Sequence, residues 1–124
     1  MERLQITSIR TTKVNIINLE ELDTPRVKAT INRNTKKITN DDTNSYFSGH
    51  YNAVLEKEDE TDANRTFWVD YEIYVEFTCN NPEATPESIV PFTTAEIYPH
   101  LRAGVAAIMG AASIQPLILP PIIE

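Results

Sequence analysis

The chain has 124 residues and a mass of 14.0 kDa, the size of one domain, and 41% hydrophobic against 23% charged residues excludes a disordered chain. A formal net charge of −7 argues against a general binder of phosphate backbones. The single cysteine, Cys79, cannot form an intramolecular disulfide, and with no secretory signal at the N-terminus the expected setting is a reducing cytoplasm.

Leu4 to Ile9 starts with alternation and Lys13 to Ile16 resumes it, which predicts one long strand with a slip or bulge between them. Glu20 to Pro25 reads as a turn. Arg26 to Asn32 alternates strictly and predicts a second strand with one wet face. The Asn-, Asp-, Thr- and Lys-rich stretch from Asn34 to Asn44 extends that strand in part and turns at Asn40-Asp41-Asp42. Tyr46 to Lys57 predicts a third strand, with Tyr51, Ala53 and Leu55 on one face. The acidic run from Glu56 to Asp62 reads as a hairpin tip, where like charges stand in water. Thr66 to Cys79 carries the strongest strand pattern. Phe67, Val69, Tyr71, Ile73, Val75 and Phe77 share one face by period two, and Trp68, Asp70, Glu72, Tyr74 and Glu76 share the other. Asn80-Asn81-Pro82 ends it, and a connector with three prolines occupies residues 82–92.

Thr93-Thr94-Ala95-Glu96 fits a capping box, so a helix is expected from there to about Ala112, with Ile97, Leu101, Val105, Ile108 and Met109 on one stripe. Pro99 predicts either a kink or a helix proper that starts at Pro99. Ala106, Ala107, Gly110 and Ala111 make a second, small-residue face, which points to burial between layers or subunits. Ala103 to Ile123 carries no charge, but Pro116, Pro120 and Pro121 interrupt it, so an apolar extended tail is expected there rather than a membrane span. The fold class that follows is α+β: a four-stranded antiparallel sheet, then one long helix, with residues 1–124 as a single domain. One helix cannot cover both faces of such a sheet, and its edges are open. Assembly through helix and sheet is therefore expected, with Ile97, Leu101, Val105, Ile108 and Gly110 at the interface.

Chemistry-bearing patterns are scarce. His50 and His100 lie in different elements, Cys79 has no motif around it, and neither HExxH nor CxxC occurs. Three glycines build no phosphate loop. No catalytic residue, metal or cofactor is expected, and the chain reads as a non-enzyme. Charge is uneven: residues 1–40 carry a net +4 and the remaining 84 a net −11. Trp68 among Asp70, Glu72 and Glu76 reads either as a half-covered sheet face or as a docking patch for a basic partner.

The C-terminal third resembles the end of the core of SecB, the bacterial export chaperone family. The resemblance lies in Ile97-Tyr98-Pro99-His100-Leu101-Arg102, an apolar helix, and then Ser113-Ile114-Gln115-Pro116-Leu117-Ile118-Leu119-Pro120-Pro121-Ile122. Pro99, Arg102, Leu117, Leu119 and Pro121 keep register with the family without a gap. Phe67-Trp68-Val69-Asp70 is similar to the family's Phe-Leu-Cys-Glu strand, whose hydrophobic and acidic pair contacts the motor SecA. The resemblance implies a cytoplasmic, ATP-independent holdase, assembled as a homotetramer, that binds unfolded client polypeptides for export or for a specific antitoxin. It implies a client groove at Phe92, Tyr98, Ile114, Leu117, Ile118 and Leu119, and a partner surface at Trp68, Asp70 and Glu72. Neither nucleic acid nor membrane insertion is expected. Three departures stand out. Lys13 falls where the family's acidic SecA contact lies, Ala112 replaces a glycine at the helix end, and the sequence stops at Glu124, before the family's further C-terminal helix. A structural or assembly subunit that shares the fold without holding clients is the alternative expectation.

Overall fold

The residue pattern with the strongest alternation sits at the centre of the sheet. The computed structural model describes residues 2–18, 27–57 and 67–111. The elements are β1 (Leu4–Asn18), β2 (Val27–Asn40), β3 (Ser45–Lys57), β4 (Phe67–Cys79), α1 (Val90–Glu96) and α2 (Tyr98–Ala111). The strands form one antiparallel sheet in the order β1-β4-β3-β2. In β4, Phe67, Val69, Tyr71, Ile73, Val75, Phe77 and Cys79 are all buried on one face, against Phe47, Tyr51, Ala53 and Leu55 of β3. Phe47 and Phe77 stack at 5.4 Å between ring centroids. The helices bear on this inner face: α2 crosses β3 and β4, and α1 reaches β1.

β1 contains the expected irregularity, in two places. Register shifts fall between Ile6 and Ser8 and between Thr11 and Lys13. Without them the three-residue spacings Ile6–Ile9 and Thr11–Val14 would throw the apolar set onto the other face. The extra residues are threonines. Thr7 Oγ1 donates to the Glu76 carbonyl at 3.1 Å and Thr12 Oγ1 to the Glu72 carboxylate at 2.8 Å. The outcome places Leu4, Ile6, Ile9, Thr11, Val14 and Ile16 opposite Cys79, Phe77, Val75, Ile73, Tyr71 and Val69.

The turn between β2 and β3 is organised by Asp41. Its Oδ1 accepts from the Thr43 and Asn44 amides at 2.9 and 2.7 Å, and its Oδ2 accepts the Tyr46 hydroxyl at 2.6 Å. These donors, the Tyr46 hydroxyl first, hold the Asp41 carboxyl down at about 2. A carboxyl depressed in the folded state stabilises the fold above its unfolded value, and the contribution disappears as pH falls through the folded value. Wild type is therefore expected to lose its stability advantage over Asp41→Asn between roughly pH 4 and pH 2. Urea midpoints of both proteins across that interval check this; a constant difference would rule it out.

Two local expectations are revised, and a third falls on residues that are not described. The cap at Thr93 is not formed: Thr93 lies inside α1, buried, and its hydroxyl donates to the Val90 carbonyl. The reciprocal arrangement occurs two turns earlier, where the Ser88 amide donates to Thr85 Oγ1 and the Thr85 amide to Ser88 Oγ. The single long helix is bent. It breaks at Ile97, and Pro99 occupies the first turn of α2, where its missing amide hydrogen is tolerated. The tail expected over residues 112–124 lies outside the described residues.

Candidate functional site

The two faces of the sheet differ in what they leave open. On the inner face, Tyr98, Leu101, Val105 and Met109 of α2 close over β3 and β4, but α2 stops short of β1. Tyr71 bridges the gap: its ring lies under Gly104 and its hydroxyl shares a 3.0 Å hydrogen bond with Thr11. On either side of Thr11, Ile9 and Val14 remain 39% and 47% exposed. Ala107, Ile108 and Ala111 follow Gly104 along the same row of α2, with both alanines exposed and Ile108 half-buried. Exposed apolar residues therefore stand both on β1, at Ile9 and Val14, and on α2, at Ala107 and Ala111 beside the half-buried Ile108.

At the opposite edge a cleft opens between β2 and the helix break. Ile31 and Arg33 of β2, Tyr51 of β3, and Thr93, Thr94, Tyr98 and Leu101 line it. Tyr51 lies flat over Gly49, and its hydroxyl shares a 2.7 Å hydrogen bond with Thr35. Burial raises the phenol pKa of both Tyr51 and Tyr98, and Arg33 is the charged residue of the lining. Phe92, half-buried against the core, and the exposed Val90 stand on α1.

The outer face is polar and cross-linked across the strands. Lys13 Nζ of β1 lies 2.7 Å from Asp70 Oδ2 of β4, Asn52 of β3 donates to Asp70 Oδ1 at 2.5 Å, and Asn32 of β2 donates to Asn52 at 3.1 Å. The hydrogen bond to Asp70 raises the Lys13 pKa above its ordinary value. One row away, His50 Nδ1 lies 3.1 Å from Glu72 Oε1. Arg10 sits 5.0 Å over the Tyr74 ring, and the His50 ring packs tilted against the same ring at 5.0 Å between centroids.

This geometry redistributes the expected site residues. Trp68, Asp70 and Glu72 do share the outer face. Asp70, however, is only 4% exposed and its carboxylate is held by Lys13 and Asn52, so it does not present a charge to a basic partner as expected. Ile97, Leu101 and Val105 are sealed within the chain's own core, because they face β3 and β4 rather than outward. Of the expected interface set, only Ile108 and Gly110 reach the surface. Tyr98 is buried at the cleft floor and Phe92 stands beside the core, while Ile114, Leu117, Ile118 and Leu119 lie outside the described residues. Ile9 and Val14 were not singled out by sequence. Their alternation is identical to that of buried positions, and only the reach of α2 exposes them. Among the described residues no group of three His, Cys, Asp or Glu side chains could hold a metal ion. No described helix is long and apolar enough to cross a membrane.

Four antiparallel strands followed by a bent helix on one face define an α+β fold of the SecB-like kind. No family profile matches the sequence, and no curated protein matches it. Among solved structures, 98% of the chain superposes on 91% of the SecB-like chaperone Rv1957 of Mycobacterium tuberculosis, in complex with a ChAD peptide from the Rv1956 HigA1 antitoxin; the TM-score is 0.63 at 20% identity. A protein of unknown function from Streptococcus agalactiae is similar over 97% of this chain and 98% of its own, with a TM-score of 0.61 at 11% identity.

Proposed function

We propose that this chain is an ATP-independent holdase that binds unfolded polypeptide, with an antitoxin as its dedicated client. The observation that carries the reading is the likeness, over nearly the whole chain, to a chaperone solved with an antitoxin peptide bound. A holdase needs exposed apolar surface and no nucleotide. It binds the unfolded client and shifts the folding equilibrium by mass action, and several weak grooves in one assembly add through effective concentration. The cleft and the α1 residues beside it supply the client surface in this reading, with Phe92 and Tyr98 at its centre and Ile114, Leu117, Ile118 and Leu119 as further contacts. The exposed apolar residues of β1 and α2 join copies into a homotetramer, with cytoplasmic location following from the same reading.

An antitoxin is favoured over secretory precursors by Lys13. It stands at the position of the resembled family's acidic SecA contact, and it binds Asp70, the other acidic residue of that surface. The test is aggregation of a urea-denatured protein on dilution, followed by light scattering with stoichiometric chain and no ATP. Suppression is expected, and unchanged aggregation at excess chain would refute the reading. Phe92→Ser is expected to raise the chain concentration needed on the order of fivefold, because burying about half a phenylalanine is worth roughly 1 kcal/mol. Equal suppression by the variant would remove Phe92 from the client surface.

A further inference from the structure

We propose that the outward edge of β2 captures an acidic, extended polypeptide segment as an added strand. This use of β2 rests on the polypeptide-binding reading above and names the chemistry of the segment. Three observations converge on it. First, β2 is the end strand of the sheet; its only ladder partner among the described residues is β3. An end strand offers a row of backbone donors and acceptors that a second extended chain can pair with.

Second, the charge of β2 is one-sided. Val27–Asn40 contains Lys28, Arg33, Lys36 and Lys37 and no acidic residue, in a chain of net charge −7. Lys37 is committed to the Pro82 carbonyl at 3.0 Å. Lys28, Arg33 and Lys36 are exposed; Lys28 lies opposite Glu56 of β3, while Lys36 and Arg33 lie opposite Ser48 and Tyr51. Two β2 edges laid against each other would oppose these cations, and like charges directly opposite destabilise a strand pair. Self-pairing is therefore disfavoured, whereas a segment carrying glutamate or aspartate is matched.

Third, the two faces of the strand ask for different side chains. Lys28 and Lys36 point to the outer face, and Val27, Ala29 and Ile31 to the inner face, with Ile31 and Arg33 at the cleft beside Thr94 and Tyr98. An added strand alternates its side chains in the same way. Acidic residues would meet Lys28 and Lys36, and apolar residues would lie toward Ile31 and the cleft.

The probes are two short fluorescein-labelled peptides that alternate valine with glutamate or valine with lysine, titrated by anisotropy at low and high salt. The glutamate peptide is expected to bind at least about fivefold more tightly, because its carboxylates pair with Lys28 and Lys36 where the ammonium groups of the other peptide are repelled, and to weaken as salt rises. The triple variant Lys28→Glu, Arg33→Glu, Lys36→Glu should reverse the preference and keep a cooperative melt, at a slightly lower temperature because Lys28→Glu sets two carboxylates opposite each other on β2 and β3. Amide hydrogen exchange should show alternate β2 amides gaining protection on binding the glutamate peptide. Equal affinity for both peptides, an unchanged preference in the triple variant, or protection gained along β1 instead would each overturn the proposal. So would self-association that the triple variant abolishes and the peptide does not displace, which would assign the edge to a second copy. Aggregation suppression separates the two readings. Suppression without selective peptide binding defeats the β2 site alone, and selective binding without suppression defeats the holdase and leaves the β2 site standing.

Discussion

Gly104→Ala is expected to destabilise the chain by about 1–3 kcal/mol, the range for overfilling a packed interior. On an unconstrained helix the same change would stabilise by up to roughly 1 kcal/mol, since alanine is the better helix former. The contact geometry decides the sign. A Cβ at Gly104 would overlap the Tyr71 hydroxyl oxygen and two of its ring carbons, far inside van der Waals contact. Those atoms cannot easily retreat: the Tyr71 ring is buried in the core and its hydroxyl is tied to Thr11 across the sheet. Urea denaturation measures the loss. Combining Gly104→Ala with Tyr71→Leu removes the obstructing atoms, so the double variant should lose less than the sum of the singles. Strict additivity would show that Tyr71 is not what Gly104 accommodates. A Gly104→Ala variant as stable as wild type would show that the helix shifts freely over β4.

Substituting Ile9→Asp together with Val14→Asp is expected to dissociate the proposed tetramer into chains of 14.0 kDa, measured by light scattering at micromolar concentration. Ile9 and Val14 are the exposed large apolar residues of β1, on the inner face that α2 does not reach. An aspartate at the centre of a dry contact loses burial and adds an unpaired charge, and such central positions commonly account for about 2 kcal/mol or more each. Both residues are substantially exposed in the single chain, so its own fold should change little. Gly110→Leu probes the same helix end independently. A Cβ built there meets nothing within 4 Å among the described residues, so a loss of assembly in that variant points to a contact with a neighbour. A wild-type chain that is already monomeric would remove the tetramer from the proposed function. An assembly that survives all three substitutions would place the contact elsewhere.

Much of the architecture was legible because strand burial repeats every two residues. The alternation through β4 identified its buried face residue by residue, and the broken alternation of β1 announced a bulge. Pro99 marked the place where the helix bends. The C-terminal motif around Pro99 and Arg102 also pointed to the SecB-like fold that the superposition shows. The helix start was misplaced because Thr93-x-x-Glu96 fits a capping box by residue type, whereas α1 begins at Val90 behind Ile89 with no side-chain cap and with a proline in its first turn. A side chain caps only where the backbone amides are unpaired, and at Thr93 the first turn of α1 had already formed.

Periodicity tells which residues share a face, and that much the sequence determined by itself: the strands, their inner and outer sets, the bend and the basic character of β2. It does not tell how far a neighbouring element reaches across that face. Ile9 and Val14 carry the same pattern as Ile6 and Ile16, and they are exposed only because α2 lies over β3 and β4. The same holds for charge. Lys13 and Asp70 are 57 positions apart in the chain, and Asp70 read as a surface carboxylate until the β1–β4 register set the ammonium 2.7 Å from it. The sequence reading places Ile97, Leu101 and Val105 at a subunit interface, and the direction in which α2 presents its stripe makes them core instead. Each of these was decided by long-range packing, because burial and ion pairing depend on what lies across the sheet rather than on what lies along the chain.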